Sequence, residues 1–276
     1  MDMVQLTVAL LAALALSHMG AASPASAREG WVNPARAKVV LRADPSPVAP
    51  ARALVYRGET LRVVAAAQVA ARDWQRVATD GRSGWLLRAD TRPARAPKPS
   101  RRTCTARAVG SPTHGRLLCG RQLRAQGTGF RTWDFPLSRS PNRPERRWGT
   151  VKLISRIEWV ARRWQARHPL DARLLVGDLA RPRGGPFTAR FGGIGHASHQ
   201  NGLDVDLYYP RTDGREREAF RPSQVDRRRA RELIALIKRT RPQLMFVGCR
   251  VGIPATGRVR HLCSAHENHV HVRYRP

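Results

Sequence analysis

The chain has 276 residues, 42% of them hydrophobic, which is enough for one large or two modest domains with packed cores. Lys and Arg total 50 against 20 acidic residues, so the formal net charge is +30 and the surface should attract anionic partners. Outside residues 3–16, which are discussed next, no apolar run could cross a membrane. Nearly all of the positive charge is Arg, so a bias in genome composition can account for part of the excess. Charge alone therefore does not choose between nucleic acid, lipid headgroups and anionic wall polymers as partners.

The N-terminus has the order of a secretory signal peptide. Residues 3–16 are almost wholly apolar, and Pro24 and the small residues Ala25-Ser26-Ala27 follow them. We therefore expect residues 1–27 to be removed and the mature protein to be periplasmic or secreted. The alternative is an uncleaved anchor helix, since no Lys or Arg precedes Arg28. At about 14 residues the apolar run is shorter than the roughly 20 needed to span a bilayer, so no stable membrane anchor is expected.

Four cysteines suggest disulfide bonds in an exported protein. Three pairings are open, and the two local ones, Cys104 with Cys119 and Cys249 with Cys263, close loops of similar size. Each local disulfide would contribute about 3 kcal/mol by chain entropy. Neither pair has the C-x-x-C spacing typical of zinc knuckles, so metal binding by cysteine is not expected.

Residues 36–90 contain several short runs with strand character, separated by turns. Asp80-Gly81 and Ser83-Gly84, with Trp74 before them and Trp85 after, predict a hairpin. Several such strands within about 55 residues favour a small all-β barrel. The strings VVLRADPS, YRGETLRVV and DWQRVATDGRSGWLLRAD resemble a bacterial SH3-like domain, and this resemblance implies a wall-binding module.

Residues 91–102 are rich in Pro and Arg and offer little to bury, so they predict a linker before a second domain over residues 103–276. In that domain, apolar residues recur at helical spacing from Val151 to Arg167. Residues 223–226 (SQVD) have the pattern of a capping box and open a second predicted helix that ends near residue 240. Helices mixed with strands predict an α+β domain.

Two predicted strands of the second domain carry metal-binding side chains. Residues 203–208 and 269–274 alternate polar and apolar, and side chains two apart on a strand share a face and lie about 6–7 Å from one another. The polar faces carry Asp204 and Asp206 on the first strand, and His269, His271 and Arg273 on the second. If these faces meet, two His and one Asp can occupy three corners of a tetrahedron and leave the fourth for water, which is the pattern of a catalytic zinc site.

The strings GHASHQNGLDVDLYY and HENHVHVRY resemble the penicillin-insensitive murein endopeptidases, a group within the LAS class of zinc D,D-peptidases. The marks of that class are H-x6-D and H-x-H, matched here by His199 with Asp206 and by His269 with His271. The resemblance implies a LAS-type α+β metallopeptidase domain with a central antiparallel sheet. It also implies one bound zinc ion, with a second ion as an alternative.

The resemblance implies zinc ligands at His199, Asp206 and His271. His269 and His266 would take catalytic roles beside the bound water, and His196 would contact a second metal or the substrate. Asp204 would orient a ligand from behind. Arg273 is a candidate for binding a substrate carboxylate, with a solvated Arg as the alternative.

The implied function is hydrolysis of the D-amino-acid peptide cross-links of peptidoglycan, with peptidoglycan and anionic wall polymers as partners. A D-Ala-D-Ala carboxypeptidase or dipeptidase is one alternative, but it would need a closed pocket, and the Gly-rich loop at residues 183–195 favours an open groove. A non-catalytic wall-binding protein is another, disfavoured because every ligand position is present. No nucleic acid is expected as a partner, because the signal peptide and the absence of a recognised nucleic-acid motif argue against it.

Overall fold

The structure is a computed structural model that describes residues 24–25, 30–79, 82–96, 104–187, 196–263 and 265–276. Within these ranges the chain forms nineteen β-strands and two α-helices, so the fold is mostly β. The strands form one sheet in the N-terminal third, and a second main sheet with two short strand pairs in the rest. Neither helix in the described ranges has the length and apolar character needed to cross a membrane.

The N-terminal sheet has eight strands, and all neighbouring strands are antiparallel. The strands are β1 (Pro24–Ala25), β2 (Gly30–Pro34), β3 (Lys38–Arg42), β4 (Ala51–Tyr56), β5 (Leu61–Val69), β6 (Arg72–Thr79), β7 (Arg82–Leu87) and β8 (Thr91–Ala94). Their order is β4-β3-β7-β6-β5-β2-β8, and β1 pairs with β5. Alternating residues such as Val39, Leu41 and Val77 face a common core. The assignment of this sheet as an SH3-like barrel stays a prediction.

The sheet extends beyond both ends of the predicted 36–90 domain. Strand β8 pairs with β2, so the first four residues of the predicted linker belong to the sheet. Residues 97–103 lie outside the described part of the chain. The predicted signal peptide, residues 1–27, also lies outside it, except for the two residues of β1.

The main sheet of the second half has seven strands. They are β12 (Gln126–Gly127), β13 (Phe130–Thr132), β15 (Leu174–Val176), β16 (Asp204–Tyr208), β17 (Leu244–Val247), β18 (Val259–His261) and β19 (His269–Arg273), in the order β12-β13-β15-β16-β19-β17-β18. Two short antiparallel pairs lie beside it: β9 (Arg107–Gly110) with β10 (Gly115–Leu118), and β11 (Arg121–Gln122) with β14 (Trp148–Gly149). The central strands β15, β16, β19 and β17 are antiparallel, as predicted. The sheet as a whole is mixed, however, because β13 pairs with β15, and β17 with β18, in parallel through crossover connections.

Helix α1 (Val151–Arg167) has the predicted bounds and buries the predicted face, including Ile154, Val160 and Trp164, against this sheet. Helix α2 (Arg227–Arg239) begins later than predicted. Its N-cap is Asp226, whose carboxylate accepts from the backbone N–H of Arg229, while Pro222–Gln224 forms a separate 3-10 turn. The Asp at the end of the SQVD string, rather than the Ser at its start, therefore caps the helix.

Both local disulfides are formed, Cys104 with Cys119 and Cys249 with Cys263. The second joins the segment after β17 to the segment before β19. It therefore ties the segment after β17 to a point three residues before His266.

The two halves contact each other where β4 meets the connection between α1 and β15. The backbone N–H of Leu54 donates to the Pro169 carbonyl at 3.0 Å, and the Tyr56 hydroxyl donates to the Asp171 carbonyl at 3.3 Å. The Arg173 guanidinium lies 3.6 Å from the centre of the Tyr56 ring. These contacts bury Tyr56, and burial raises the pKa of its hydroxyl.

The carboxylate of Glu216 binds Arg173 and so supports the contact between Arg173 and the Tyr56 ring. It accepts from the backbone N–H and the guanidinium of Arg173, and from Arg131 at 3.0 Å. Burial alone would raise the pKa of Glu216, but the two guanidinium groups outweigh burial and lower it. A carboxylate with a lowered pKa stabilises the folded state above its unfolded-state pKa, and this contribution is lost as the pH falls through the folded-state pKa.

We predict that Glu216→Gln lowers the free energy of unfolding at pH 7 by about 1–2 kcal/mol, the usual range for a hydrogen bond to a charged group. The difference from the unchanged chain should persist above the ordinary carboxyl pKa of 4.5 and shrink at lower pH. Urea unfolding at pH 7, 5 and 3 measures this dependence. A difference that grows as the pH falls would contradict the predicted sign.

Candidate metal centre and active site

Strands β16 and β19 lie side by side, and their antiparallel register places Asp206 opposite His271 and Tyr208 opposite His269. Both strands alternate as the sequence predicts, with Val205 and Val270 buried in the core on the other face. The polar faces of the two strands therefore meet.

Three side-chain atoms converge at this point. His199 Nε2 lies 3.2 Å from His271 Nδ1 and 3.5 Å from Asp206 Oδ1. The third side of the triangle, from His271 Nδ1 to Asp206 Oδ1, is 3.1 Å. Ligand atoms of a tetrahedral ion with bonds of about 2.0–2.1 Å lie about 3.3 Å apart, so the three groups match the spacing of ligands around one ion.

His199 is fixed by the loop that precedes β16. Its Nδ1 lies 3.0 Å from the carbonyl oxygen of Leu179, and since a carbonyl only accepts, Nδ1 carries the proton. The Nε2 lone pair then points toward Asp206 and His271. The side chain is fully buried, and its backbone N–H donates to Asp204 Oδ2 at 3.2 Å.

Asp204 lies behind the three converging groups. It accepts from the Arg273 guanidinium at 3.0 and 3.2 Å, and its Oδ2 is 3.5 Å from Nε2 of His271. Burial alone would raise the pKa of Asp204, but these partners hold it well below its usual range. A charged Asp204 therefore lies on the side of His271 opposite the converging atoms, and its role in orienting His271 stays a prediction. Arg273 is held by Asp204, and its role toward a substrate carboxylate stays a prediction.

His269 and His266 line the same site. His269 Nε2 lies 3.6 Å from Asp206 Oδ1, and its Nδ1 is 2.7 Å from the Asn268 side-chain oxygen. The ring centroids of His266 and His269 are 4.8 Å apart. Burial lowers the pKa of each to about 4, so both are neutral near pH 7 and able to accept a proton.

His196 is joined to a carboxylate that the sequence analysis did not identify. Its Nε2 is 2.7 Å from Asp178 Oδ2 and 3.9 Å from Asp206 Oδ2. Asp178 also accepts from Arg146 Nε at 2.7 Å and from the Asn142 amide at 2.9 Å. The signal for Asp178 was weak, because it is a single carboxylate two residues after the buried strand β15.

A second combination of side chains could also hold a metal ion. His196, His199 and Asp206 each offer a ligand atom, and these atoms lie within 4.8 Å of one another. The ligand atoms of this combination are spread more widely than those of the triangle that includes His271, whose sides are 3.1–3.5 Å long. The closer spacing favours His271 over His196 as the third ligand.

His196, Asp206, His266, His269 and His271 line a groove of about 730 Å³. Its rim is apolar, with Phe220 58% exposed and Leu262 44% exposed. The Gly-rich loop predicted to keep the groove open, residues 183–195, lies outside the described residues from 188 onward. His261 takes no part in the site, because it is exposed and its Nε2 contacts the Ile253 carbonyl at 2.8 Å.

Comparison with known proteins gives one family. Residues 108–244 match the family described as penicillin-insensitive murein endopeptidase. Proteins of that name are similar in sequence: one from Yersinia pestis bv. Antiqua is 32% identical over 121 residues, which cover 43% of this chain and 41% of the relative. One from Pectobacterium atrosepticum is 30% identical over 124 residues, 44% of this chain and 39% of the relative. The chain thus spans about two fifths of the length of these relatives.

The family match includes His196, His199 and Asp206 but ends at residue 244, before the second motif. The structure supplies the missing connection, since β19 pairs with β16 along five residue pairs and places His271 beside Asp206. Both motifs therefore belong to one site, although only the first lies inside the matched range.

Proposed function

We propose that the chain is a zinc peptidase that hydrolyses D-amino-acid peptide cross-links in peptidoglycan, because residues 108–244 match the family described as penicillin-insensitive murein endopeptidase. The single observation that carries the proposal is the triangle of His199 Nε2, His271 Nδ1 and Asp206 Oδ1, with sides of 3.1–3.5 Å. Two imidazoles and one carboxylate with an open fourth position are typical of catalytic zinc.

The residues fit a zinc ion in two further respects. The carbonyl of Leu179 fixes the tautomer of His199, so that Nε2 has a free lone pair. The pKa of Asp206 lies well below its ordinary value, since His199 and His269 outweigh the effect of burial, so this ligand is charged. A bound zinc ion would lower the pKa of a water molecule to near 7 and polarise the scissile carbonyl.

Side chains of this protein would accept the proton of the attacking water. We assign His269 as the proton acceptor, because its Nε2 lies 3.6 Å from the ligand oxygen of Asp206 and its Nδ1 is held by Asn268. The same imidazole can then deliver the proton to the leaving amine. His266 lines the same groove beside His269, with its ring tilted by 43° to the His269 ring, so we assign it as a second polar partner near the reacting groups.

The groove is large enough for a peptide substrate, with a volume of about 730 Å³. The exposed side chains of Phe220 and Leu262 on its rim can contact alkyl groups of a bound peptide. These features support cleavage of a cross-link peptide, and a carboxypeptidase that reads a terminal carboxylate is the alternative.

We also propose that the protein is exported and acts at the wall, with residues 36–90 as a wall-binding module and residues 1–27 as a signal peptide. Two disulfides and a site for a peptidoglycan substrate support an oxidising compartment such as the periplasm or the exterior.

The activity is tested by incubating purified protein that comprises residues 28–276 with dimeric cross-linked muropeptides. We expect conversion of dimers to monomers, its loss after chelation and its return on addition of zinc. Release of free D-Ala alone would show a carboxypeptidase. No turnover with zinc, on a substrate that another endopeptidase cleaves, would contradict the proposal.

We predict that His269→Ala lowers kcat by about 10²–10⁴-fold, the range for loss of a general acid–base group, while zinc remains bound. Zinc content and the rate of muropeptide cleavage are measured on the same sample. Loss of both together would indicate that His269 is a metal ligand and not the proton acceptor.

A further inference from the structure

A second large cavity lies between the two halves of the chain, and it shares no lining residue with the active-site groove. This interdomain cleft has a volume of about 780 Å³. One wall comes from the N-terminal sheet, including Trp31 and Arg62, which lie opposite each other on β2 and β5. The other wall comes from Arg124, between β11 and β12, and from Arg162 on α1.

The cleft has more positive charge than its own acids neutralise. Its lining contains five Arg and two Glu. Arg82 donates to Glu59 at 2.8 Å, and Arg121 lies 4.0 Å from Glu158. The other three guanidinium groups have no carboxylate within ion-pair distance in the described ranges, and they are those of Arg62, Arg124 and Arg162. Unpaired like charges around one cavity create a potential that attracts an anion.

The walls are held in place relative to each other. The contacts of Leu54 with Pro169, and of Tyr56 with Asp171 and Arg173, join the two halves. Nearer to the cleft, the Gln126 amide donates to the Arg57 carbonyl. A cleft with fixed walls loses little conformational entropy when a ligand enters, which favours binding.

The lining indicates which anion fits. Guanidinium groups bind phosphate oxygens in a bidentate manner, and the hydroxyls of Thr60 and Ser83 can donate to phosphate or pair with ligand hydroxyls. Sites for single-stranded nucleic acid add a row of aromatic side chains on which bases stack. Among the described residues of the cleft the aromatic side chains are Trp31 and the buried Phe130, too few for such a row.

We propose that the interdomain cleft binds an anionic polymer with a phosphodiester backbone and hydroxyl-bearing units, such as a polyol phosphate of the cell wall. The site is separate from the proposed zinc centre, so it would anchor the enzyme to the wall without taking part in hydrolysis. Binding of the polymer in the cleft does not depend on the proposed peptidase activity.

The test uses the mature chain and fluorescently labelled polyglycerol phosphate of about ten repeats, with binding followed by fluorescence polarisation over a range of salt concentrations. The cleft variant is Arg62→Ala/Arg124→Ala/Arg162→Ala. The matched control, Arg52→Ala/Arg72→Ala/Arg275→Ala, removes the same charge from exposed positions outside the cleft. We expect the cleft variant to lose at least about tenfold in affinity, with a salt slope reduced by about 3, and the control to change little.

Equal losses in the two variants would overturn the proposal, because binding would then follow overall charge. Single-stranded DNA of equal phosphate number that binds at least about tenfold tighter than the polyol phosphate would assign the cleft to nucleic acid. Polyaspartate that binds as tightly as the polyol phosphate would overturn the choice of phosphodiester. His271→Ala should retain full binding, which separates this result from any failure of the peptidase proposal.

Discussion

Replacing His271 with Ala is expected to abolish muropeptide cleavage and zinc binding together. The metal's stabilisation of the transition state is worth several kcal/mol, and each 1.36 kcal/mol is tenfold in rate, so the expected loss is about 10³-fold or more. His271 carries one corner of the triangle of ligand atoms, and Asp206 and His199 alone leave the ion with two protein ligands. Cleavage rate and zinc content are measured on the same protein.

The matched control is His114→Ala, because His114 is exposed and lies outside the groove. It should retain both cleavage and zinc. Circular dichroism of His271→Ala checks that the loss does not come from unfolding. A folded His271→Ala protein that still binds one zinc ion and cleaves dimers would contradict the ligand assignment.

Replacing Asp178 with Ala is expected to destabilise the fold by about 3–5 kcal/mol, the usual effect of removing one partner of a buried ion pair. Arg146 is only 1% exposed, and Asp178 is its hydrogen-bonded carboxylate partner. Burial alone would raise the pKa of Asp178, but His196 and Arg146 hold it well below its usual range, so the carboxylate is charged in the fold. Urea unfolding at pH 7 measures the loss.

A double variant distinguishes the buried charge from other effects. Arg146→Met in the Asp178→Ala background removes the guanidinium that would otherwise be left without this partner, and should recover part of the lost stability. Asp73→Ala, which removes an exposed carboxylate from β6, is the control and should leave stability nearly unchanged. A double variant that is less stable than Asp178→Ala alone would show that the pair is not coupled as described.

The local features of the site could be predicted from the sequence. The alternation of residues 203–208 and 269–274 predicts two strands with His and Asp on one face, and this alternation is what the structure shows. Helix α1 was equally predictable, because its apolar residues repeat at helical spacing and its end precedes a Pro. These signals are local, since they depend only on neighbouring positions along the chain.

The features that depend on distant residues could not be predicted in the same way. The register that places Asp206 opposite His271 pairs residues 65 positions apart, and no local pattern sets it. Asp178 comes to the site from the loop after a third strand, so nothing in its own surroundings marks it as functional. The parallel pairs at both sides of the sheet likewise depend on the path of the crossover connections.

The start of helix α2 could not be predicted from the sequence for a different reason. Two residues of the SQVD string, Ser223 and Asp226, have side chains that can cap a helix. Pro222 begins a 3-10 turn that includes Ser223, and only Asp226 is left to accept from the first helical turn. Local propensity alone does not distinguish these two starts.

Anomalous X-ray diffraction at the zinc edge, from crystals of the zinc-loaded protein, tests the ligand assignment directly. If the three converging groups hold one zinc ion, we expect one anomalous peak at about 2 Å from each of His199 Nε2, Asp206 Oδ1 and His271 Nδ1. A single peak bound instead by His196 and Asp178, or no peak within reach of these three atoms, would contradict it.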